Sequence, residues 1–216
     1  MPDTSLPVLL SLASHELRGP AGVARGYLRL LEQDPALPDR PRRAATEAAK
    51  ALARVVGLLD ELTALARVKE GQLKLTLHTA SLRSILTQAV QATTVPPGAE
   101  VDLDVVADRD VRLRVDAARL RDVFGTLILT LARAQAGAST IELRLVAPRS
   151  AGRGKAQVIV APRSLGQALI EERPVDLSRG GVGLALALAD AMVHAHGGAL
   201  RERWVGGMWQ GFVVKL

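Results

Sequence analysis

The chain has 216 residues, enough for one or two small domains, and a formal net charge of +6. Hydrophobic residues make up 48% of it but aromatic residues only 2%, so the core has to be built from Leu, Val and Ala, as in helix bundles and small α/β layers. Cysteine is absent, which excludes disulfides and thiolate metal sites.

Targeting and partner signals are also weak in this composition. No apolar run approaches the roughly 20 residues that a membrane helix needs, and the N-terminus lacks a signal-peptide pattern. We therefore expect a cytoplasmic protein without a membrane anchor or an attached sensor. The arginines are scattered and not interleaved with aromatic residues, which favours a solvated basic surface over binding of nucleic acid.

The first predicted element is a helix of about six turns, because small and apolar residues recur at alternating spacings of three and four. This first seam consists of Leu10, Ala13, Leu17, Pro20, Ala24, Tyr27 and Leu31. His15 lies two residues from each of two seam positions, so its side chain is expected to project away from the seam into solvent. Pro20 falls inside the helix and is expected to kink it just after His15.

A second helix follows a proline-marked connection over 32–40 and ends at Gly71. Its seam consists of Ala45, Ala48, Leu52, Val55, Leu59, Leu62 and Ala66. One hairpin with two apolar stripes cannot enclose a core, so we predict that two copies pair into a four-helix bundle, a homodimer through residues 4–70. The alternative is that the hairpin packs on the rest of its own chain.

The pattern changes at about residue 73, which predicts two domains, 1–72 and 73–216. The second half alternates between strand and helix patterns and is expected to form an α/β sandwich with its helices on one face of a sheet. The predicted helices span 81–94, 116–135 and 182–195. The predicted strands span 101–106, 111–115, 140–147, 155–161, 200–204 and 211–215.

The run Ser14-His15-Glu16-Leu17-Arg18-Gly19-Pro20 resembles the phospho-accepting box of the two-component sensor histidine kinases, whose usual form is Ser-His-Glu-Leu-Arg-Thr-Pro. Further segments are similar to the family in order and spacing, and together they cover nearly the whole chain. They are 58–71 at the end of the second helix, 119–124 in the N box, 181–186 in the second glycine-rich box, 194–198, and 211–214. The resemblance implies a dimerisation and phosphotransfer hairpin followed by an ATPase-type α/β domain.

The same resemblance gives roles to residues of the phospho-accepting box. A neutral imidazole is nucleophilic, so His15 would carry the phosphate while Glu16 orients the ring and accepts its proton. Arg18 and Gly19 would face a docked receiver domain, although surface solubility explains Arg18 equally well. At Gly19 the family often has Thr or Asn, which positions the water that dephosphorylates the receiver. We therefore expect weak or absent phosphatase activity.

The expected ATP site is degenerate. The family's N box carries two asparagines that help hold Mg²⁺ and the phosphates, and Thr126 and Thr130 stand at these positions. The aspartate that reads adenine is replaced by Pro162, which has no side-chain acceptor.

The glycine-rich boxes are only partly kept. Gly166 matches the second glycine of the first box, and Gly181 and Gly183 keep two of the three glycines of the second. A plain loop-to-helix turn explains the latter two better than a phosphate cradle. Only 14 residues, 167–180, separate the boxes, which is short for an ATP lid. His194 and His196 fit a helix end better than a metal site.

These observations predict a histidine phosphotransfer protein of a phosphorelay, which takes phosphate from a receiver aspartate onto His15 and passes it on to another receiver. ATP and Mg²⁺ binding are expected to be lost or weak, so no cofactor is predicted, and the expected partners are response-regulator receiver domains. Two alternatives stay open: a histidine kinase without its own sensor and with a divergent ATP site, and a non-catalytic regulator of a kinase or receiver. The sequence does not identify the receivers, the pathway or the signal.

Overall fold

The computed structural model of the chain describes residues 6–95, 98–105, 110–134, 139–148, 155–163, 170–179 and 182–216. The chain divides into two compact units, Met1–Leu73 and Lys74–Leu216. Residues 107–109 and 149–154, which connect predicted strands, and Gly166 and Gly181 lie outside the described residues.

The first unit is a helical hairpin of α1 (Leu6–Gln33) and α2 (Asp39–Lys69). Pro41 lies in the first turn of α2, where its missing N–H costs no helical hydrogen bond. The chain leaves α2 through Gly71, whose φ is +67° and whose N–H donates to the carbonyl of Val68. The predicted connection and end of the hairpin are thus confirmed, and α1 continues through Pro20 as one helix.

The side of α1 that packs on α2 differs from the seam predicted for dimerisation. Ser14 and Ala21 are buried there, while Leu17, Tyr27 and Leu31 of the seam are exposed. The two helices of one hairpin therefore meet along one side of α1 and leave its apolar seam uncovered. Exposed large hydrophobic side chains on the hairpin are Val8, Leu9, Leu12, Leu17, Val23, Tyr27, Leu30, Leu31, Val55 and Leu58.

The second unit alternates strands and helices. Its helices are α3 (Leu82–Ala92), α4 (Ala117–Ala134) and α5 (Leu184–Ala195). Its strands are β1 (His78–Ser81), β2 (Ala99–Val105), β3 (Arg112–Val115), β4 (Ser139–Val146), β5 (Gln157–Pro162), β6 (Ile170–Arg173), β7 (Ala199–Val205) and β8 (Met208–Lys215). The sequence did not predict β1 and β6, because both have four residues and neither has an alternating apolar pattern.

Six strands form the main sheet in the order β2-β4-β5-β8-β7-β6, with β2 parallel to β4 and the other neighbours antiparallel. Strand β3 lies elsewhere, paired with β1 in a two-stranded sheet. The strands predicted at 101–106 and 111–115 therefore both exist, as β2 and β3, but they do not pair with each other. Strands β7 and β8 lie inside the sheet, and β6 forms one of its edges.

The core lies between one face of the main sheet and α3, α4 and α5. Along β4, Ile141, Leu143 and Leu145 are fully buried, and Val158 and Val160 on β5 share their face. Two N-terminal caps fix where the helices begin: Ser81 Oγ accepts from the amide of Ser84, and Asp116 Oδ1 accepts from that of Arg119. Both caps lie at the first residue of a predicted helix, and the ATPase-type fold class is confirmed.

Candidate functional site

His15 is exposed on α1, as its position beside the seam predicted. On a helix its same-face neighbours are the residues three and four positions away. Leu12 on that face is exposed, and Gly19 contributes no side chain. The imidazole is therefore open to solvent and to a docking protein on the side towards the C-terminal end of the helix.

Arg18, also on this face, is held by the second helix. Its Nη2 donates to Asp60 Oδ1 at 2.8 Å and to Thr63 Oγ1 at 3.2 Å. The Nε atom donates to the same Asp60 oxygen at 3.2 Å. The guanidinium therefore joins α1 to α2 one turn beyond His15, while its receiver-docking role stays a prediction.

Two other side chains define the inside of the hairpin near His15. Ser14 is fully buried and its hydroxyl donates to the Leu10 carbonyl within α1 at 2.8 Å. Glu61 on α2 is half-buried, and burial raises the pKa of its carboxyl. Its Oε2 atom is buried without a hydrogen-bond partner among the described residues. The hairpin thus keeps one carboxylate in surroundings that oppose its charge.

Thr126 and Thr130, the residues at the asparagine positions, lie one turn apart on α4. The Thr126 hydroxyl donates to the Asp122 carbonyl at 3.1 Å, and the Thr130 hydroxyl donates to the Thr126 carbonyl at 2.7 Å. Thr130 is also fully buried. Both hydroxyls donate their hydrogen bond to a carbonyl of α4 itself, so these residues offer at most oxygen lone pairs to a ligand.

Pro162 ends β5 opposite Ile141 of β4. The next residue, Arg163, donates its amide to the Thr140 carbonyl at 3.0 Å. Gly183 precedes α5 with φ +43° and ψ −105°, a conformation that only glycine adopts readily. Of the predicted glycines of the two boxes, it is the one that the structure describes, and its backbone demand explains it without a nucleotide.

Asp116 and His196 join the start of α4 to the end of α5. The Asp116 amide donates to His196 Nε2 at 3.1 Å, and His196 Nδ1 lies 2.7 Å from the Met192 carbonyl. Burial favours the neutral carboxyl of Asp116, but hydrogen bonds from the amides of Thr76 and Arg119 outweigh it and lower its pKa. His196 therefore has a structural role at the helix end, in agreement with the prediction.

The segment before α5 is fixed by a buried acid. Glu202 on β7 is 2% exposed, and its side chain lies on the helix-covered face of the sheet, opposite Phe212. Its Oε1 accepts from the amide of Asp176 at 3.1 Å and from Arg179 Nε at 2.6 Å. Its Oε2 accepts from Arg179 Nη2 at 3.1 Å and from Trp204 Nε1 at 2.9 Å.

The same arginine is stacked on aromatic rings. The Arg179 guanidinium lies 4.6 Å from the ring centre of Trp209 and 5.6 Å from that of Trp204, and Arg173 lies 4.2 Å from the latter. The region predicted as a shortened lid is thus tied down in its described parts, with β6 at the sheet edge and 176–179 bonded to Glu202.

Comparison with known proteins finds sensor proteins among the relatives. The sensor protein DivL of Caulobacter vibrioides is 30% identical over 190 residues, which are 86% of this chain and 24% of DivL. The alginate biosynthesis sensor protein KinB of Pseudomonas aeruginosa is 28% identical over 94% of this chain and 36% of its own. The probable sensor histidine kinase TcrY of Mycobacterium tuberculosis is 30% identical over 92% and 43%.

Solved structures share the fold. Full-length ShkA, crystallised in complex with AMPPNP, matches 98% of this chain and 45% of its own with a TM-score of 0.74 and 22% identity. The histidine kinase AdeS of Acinetobacter baumannii matches 94% of this chain and 96% of its own with a TM-score of 0.58 and 18% identity. The chain has the core of a two-component histidine kinase.

This histidine-kinase core spans less than half the length of the curated relatives it matches. No family model matches it. None of the helices that the structure describes is long and apolar enough to cross a membrane. In the described ranges, no three His, Asp or Glu side chains come together to hold a metal ion.

Sequence reasoning predicted a phospho-accepting box around His15, which stays a prediction, and missed the Glu202 network. The signal was present, because Leu200, Glu202 and Trp204 alternate along one strand and place an acid on the apolar face. A buried acid needs partners, and the only way to name them was to know how the segment before α5 returns to β7.

Proposed function

We propose that this chain is a histidine phosphotransfer protein of a two-component phosphorelay, which accepts phosphate on His15 from a receiver aspartate and passes it to a second receiver. The observation that carries the proposal is the contrast between the two sites. His15 is exposed on a helix held by a paired arginine, whereas the threonines at the asparagine positions have spent their hydroxyl protons on α4.

The transfer step needs only groups that the two partners supply. An imidazole nitrogen of His15 attacks the phosphorus of the aspartyl phosphate, the bond from phosphorus to the aspartate oxygen breaks, and the carboxylate leaves. The other ring nitrogen gives its proton to Glu16, which leaves a phosphohistidine with an uncharged ring and an anionic phosphoryl group. Mg²⁺ belongs to the acidic pocket of the receiver, and transfer to the next receiver reverses these steps.

The proposal also includes the loss of ATP binding, because several contacts of the family's ATP site are missing. Each lost buried polar contact costs about 1–3 kcal/mol, and losing two or three weakens binding by about three orders of magnitude. Pro162 and the two threonines remove that number of contacts from the family's site. Phosphoryl transfer from ATP depends on positioning and charge neutralisation, so autophosphorylation is expected to be absent or very slow.

A homodimer completes this proposal. The apolar seam of α1 is uncovered in one chain, and a second copy would bury it in a four-helix bundle. Such a bundle would present two His15 side chains to two receivers. A cytoplasmic location, where receiver domains act, is part of the same proposal.

The second candidate is a histidine kinase with a divergent ATP site. What favours it is that the relatives are named as sensor proteins and that one of them is called a probable sensor histidine kinase. Under this reading Thr126 and Thr130 would contribute their remaining lone pairs to Mg²⁺.

The experiment is phosphate transfer from receiver domains loaded with labelled acetyl phosphate. Wild type is compared with His15→Gln and with the matched control His78→Gln, which changes an exposed histidine of the second unit. We expect label on wild type and His78→Gln and none on His15→Gln. Label that persists on His15→Gln, or no label from any receiver of a broad panel, would contradict the proposal.

A further inference from the structure

The face of the main sheet that its helices leave uncovered carries a cluster of charges. Because side chains alternate along β4, Glu142 and Arg144 lie on this face while their neighbours face the core. Asp102 and Asp104 of β2 stand directly opposite them. Arg203 reaches the same face from β7, opposite Gly211 on β8.

Two arginines of this cluster are paired with all three acids. Arg144 Nη2 lies 2.7 Å from Glu142 Oε1, and Arg144 Nε lies 3.7 Å from Asp104 Oδ2. Arg163 pairs with Asp102 and lies 3.7 Å from the second oxygen of Glu142. Every carboxylate of the cluster is thus already engaged before Arg203 is counted.

Arg203 is the arginine of this cluster that has no ion pair among the described residues, although with it the three arginines equal the three acids in number. It is 7% exposed, and its Nε and Nη1 atoms are buried without a hydrogen-bond partner among the described residues. Burial and the charge of Arg144 lower its pKa, so the surroundings oppose its charge. Buried donors are normally paired, and an uncompensated buried charge is costlier still.

A cavity lies beside this guanidinium. It has a volume of about 40 Å³ and is lined by Glu142, Arg144, Ile159, Ala161, Pro162, Arg163 and Arg203. Gly211 lies between Arg203 and β5 and has no side chain, which leaves room for the arginine to cross β8. The volume is roughly three times the minimum for one water, so it admits a small ion and excludes an organic ligand of drug size.

We propose that this cavity binds one hydrogen phosphate ion, whose oxygens accept hydrogen bonds from the Arg203 guanidinium with Arg144 and Arg163 at its edge. Water would satisfy the donors, but three arginines and one carboxylate line the cavity, and an oxyanion also opposes this local positive charge. Ionised Glu142 only accepts hydrogen bonds, so it repels an anion unless that anion has an O–H to donate. Hydrogen phosphate has one and sulfate does not.

This site is independent of the proposed phosphotransfer, although Pro162 of the degenerate nucleotide region is among its lining residues. Its residues lie on the uncovered sheet face, whereas Thr130 on α4 and Glu202 on β7 lie on the helix-covered side. Arg201, two residues before Arg203, points to the same face but is exposed and does not line the cavity. It therefore provides a matched control.

The test titrates the full chain with sodium phosphate in phosphate-free buffer by calorimetry, and follows the melting temperature in parallel. Sulfate at equal ionic strength is the second probe, and glycerol phosphate distinguishes a phosphate ester from the free ion. We expect saturable binding of phosphate, at least about tenfold weaker binding of sulfate, and loss of phosphate binding in Arg203→Met but not in Arg201→Met. Glu142→Gln is expected to remove the preference for phosphate over sulfate.

The opposite results are equally definite. If phosphate and sulfate raise the melting temperature equally and the effect survives in Arg203→Met, the ions act through general salt effects and the site does not exist. The same conclusion follows if wild type shows no saturable binding of phosphate. Should Arg203→Met fail to fold, the wild-type comparison of the two ions together with Glu142→Gln decides.

Discussion

The two units of this chain have diverged in opposite ways. The hairpin keeps His15 and Glu16 of the phospho-accepting box and leaves many large apolar side chains exposed. The C-terminal domain keeps a fully buried core around Phe124 and Phe212, while Thr130 and Pro162 are predicted to stand where the family has residues of its ATP site. A fold is held by core positions that a binding site does not use, so a domain can keep its fold whether or not it keeps its chemistry.

The buried acids of the two units also differ, in how many hydrogen-bond partners they have. In the C-terminal domain Glu202 and Asp116 are surrounded by hydrogen-bond donors from the backbone and from side chains. In the hairpin, Glu61 and Glu70 each keep one buried oxygen without a partner among the described residues. The described acids of the hairpin are therefore less completely satisfied than these two acids of the C-terminal domain.

The largest expected effect comes from adding one methyl group, by a Gly→Ala substitution, in each of the two units. At Gly211 the φ angle is +124°, and a Cβ would collide with the Val160 carbonyl oxygen. We expect Gly211→Ala to cost about 3 kcal/mol or more. Gly22→Ala in α1 meets no atom and should stabilise by about 0.5–1 kcal/mol. Urea unfolding measures both, and equal effects would contradict the packing described for β5 and β8.

A somewhat smaller effect is expected at the buried acid of β7. Glu202→Gln removes the charge opposite Arg179, and we expect a loss of about 2–3 kcal/mol together with faster proteolysis at 176–179. Glu172→Gln is the control, because its pair with Lys215 is partly exposed and should be worth less than about 1 kcal/mol. A Glu202 variant no less stable than the control would show that this network does not hold the segment.

Acidification should lower the stability of the C-terminal domain and raise the stability of the hairpin. The lowered pKa of Asp116 stabilises the C-terminal domain above the unfolded value near 3.9, and this stability is lost as pH falls through the folded value. The raised pKa of Glu61 stabilises the hairpin at low pH, and this is lost as pH rises through the folded value. Both tryptophans lie in the second unit, so their fluorescence follows that unit alone.

The controls for this pH comparison are Asp116→Asn and Glu61→Gln. The first should flatten the acid response seen by tryptophan fluorescence, since asparagine still caps α4 but cannot be titrated. The second should raise the stability of the hairpin at neutral pH, followed by helical ellipticity. Parallel acid responses of the two units in wild type would refute the assignment.

A weak effect is expected at the link between the helices. Arg18 and Asp60 form a largely exposed pair, so Arg18→Gln should lower the stability of the hairpin by about 0.5 kcal/mol. Phosphate acceptance by His15 should change only a few-fold if the main role of Arg18 is this link. A much larger loss of transfer, with stability unchanged, would instead favour the docking role for Arg18.

The smallest structural change is Gly19→Thr. The site has open space for a Cβ, and the helix should change in stability by only a few tenths of a kcal/mol. We expect the threonine to create measurable dephosphorylation of a phospho-receiver, because its hydroxyl can position a water next to the histidine. Equal hydrolysis rates for Gly19→Thr and wild type would contradict this reading of Gly19.

Much of the fold could be predicted, because strong periodicity and local caps are written in neighbouring residues. The hairpin, α3 with Ser81 and α4 with Asp116 are examples. The strand partners could not be predicted in the same way, since β2 pairs with β4 and β3 with β1 through contacts distant in sequence. The edge strand β6 was missed because its side chains are all exposed and give no pattern.

For the site, the sequence was informative about composition but not about placement. It located His15 and the replacements at Thr126 and Thr130, because short motifs keep their residue order. It did not foresee that Arg18 is bonded to Asp60, or that Arg203 lies buried beside paired charges. Such pairings depend on which strands and helices become neighbours, and a charged residue in a strand gives no sign of its partner.

The most direct test of the account is incorporation of the labelled γ-phosphate of Mg-ATP into purified wild type and His15→Ala, beside the same proteins mixed with a phosphorylated receiver. The account predicts no label from ATP on either protein and label from the receiver on wild type alone. ATP-dependent label on wild type that His15→Ala abolishes would contradict it. That result would make the chain a working kinase despite Pro162, Thr126 and Thr130.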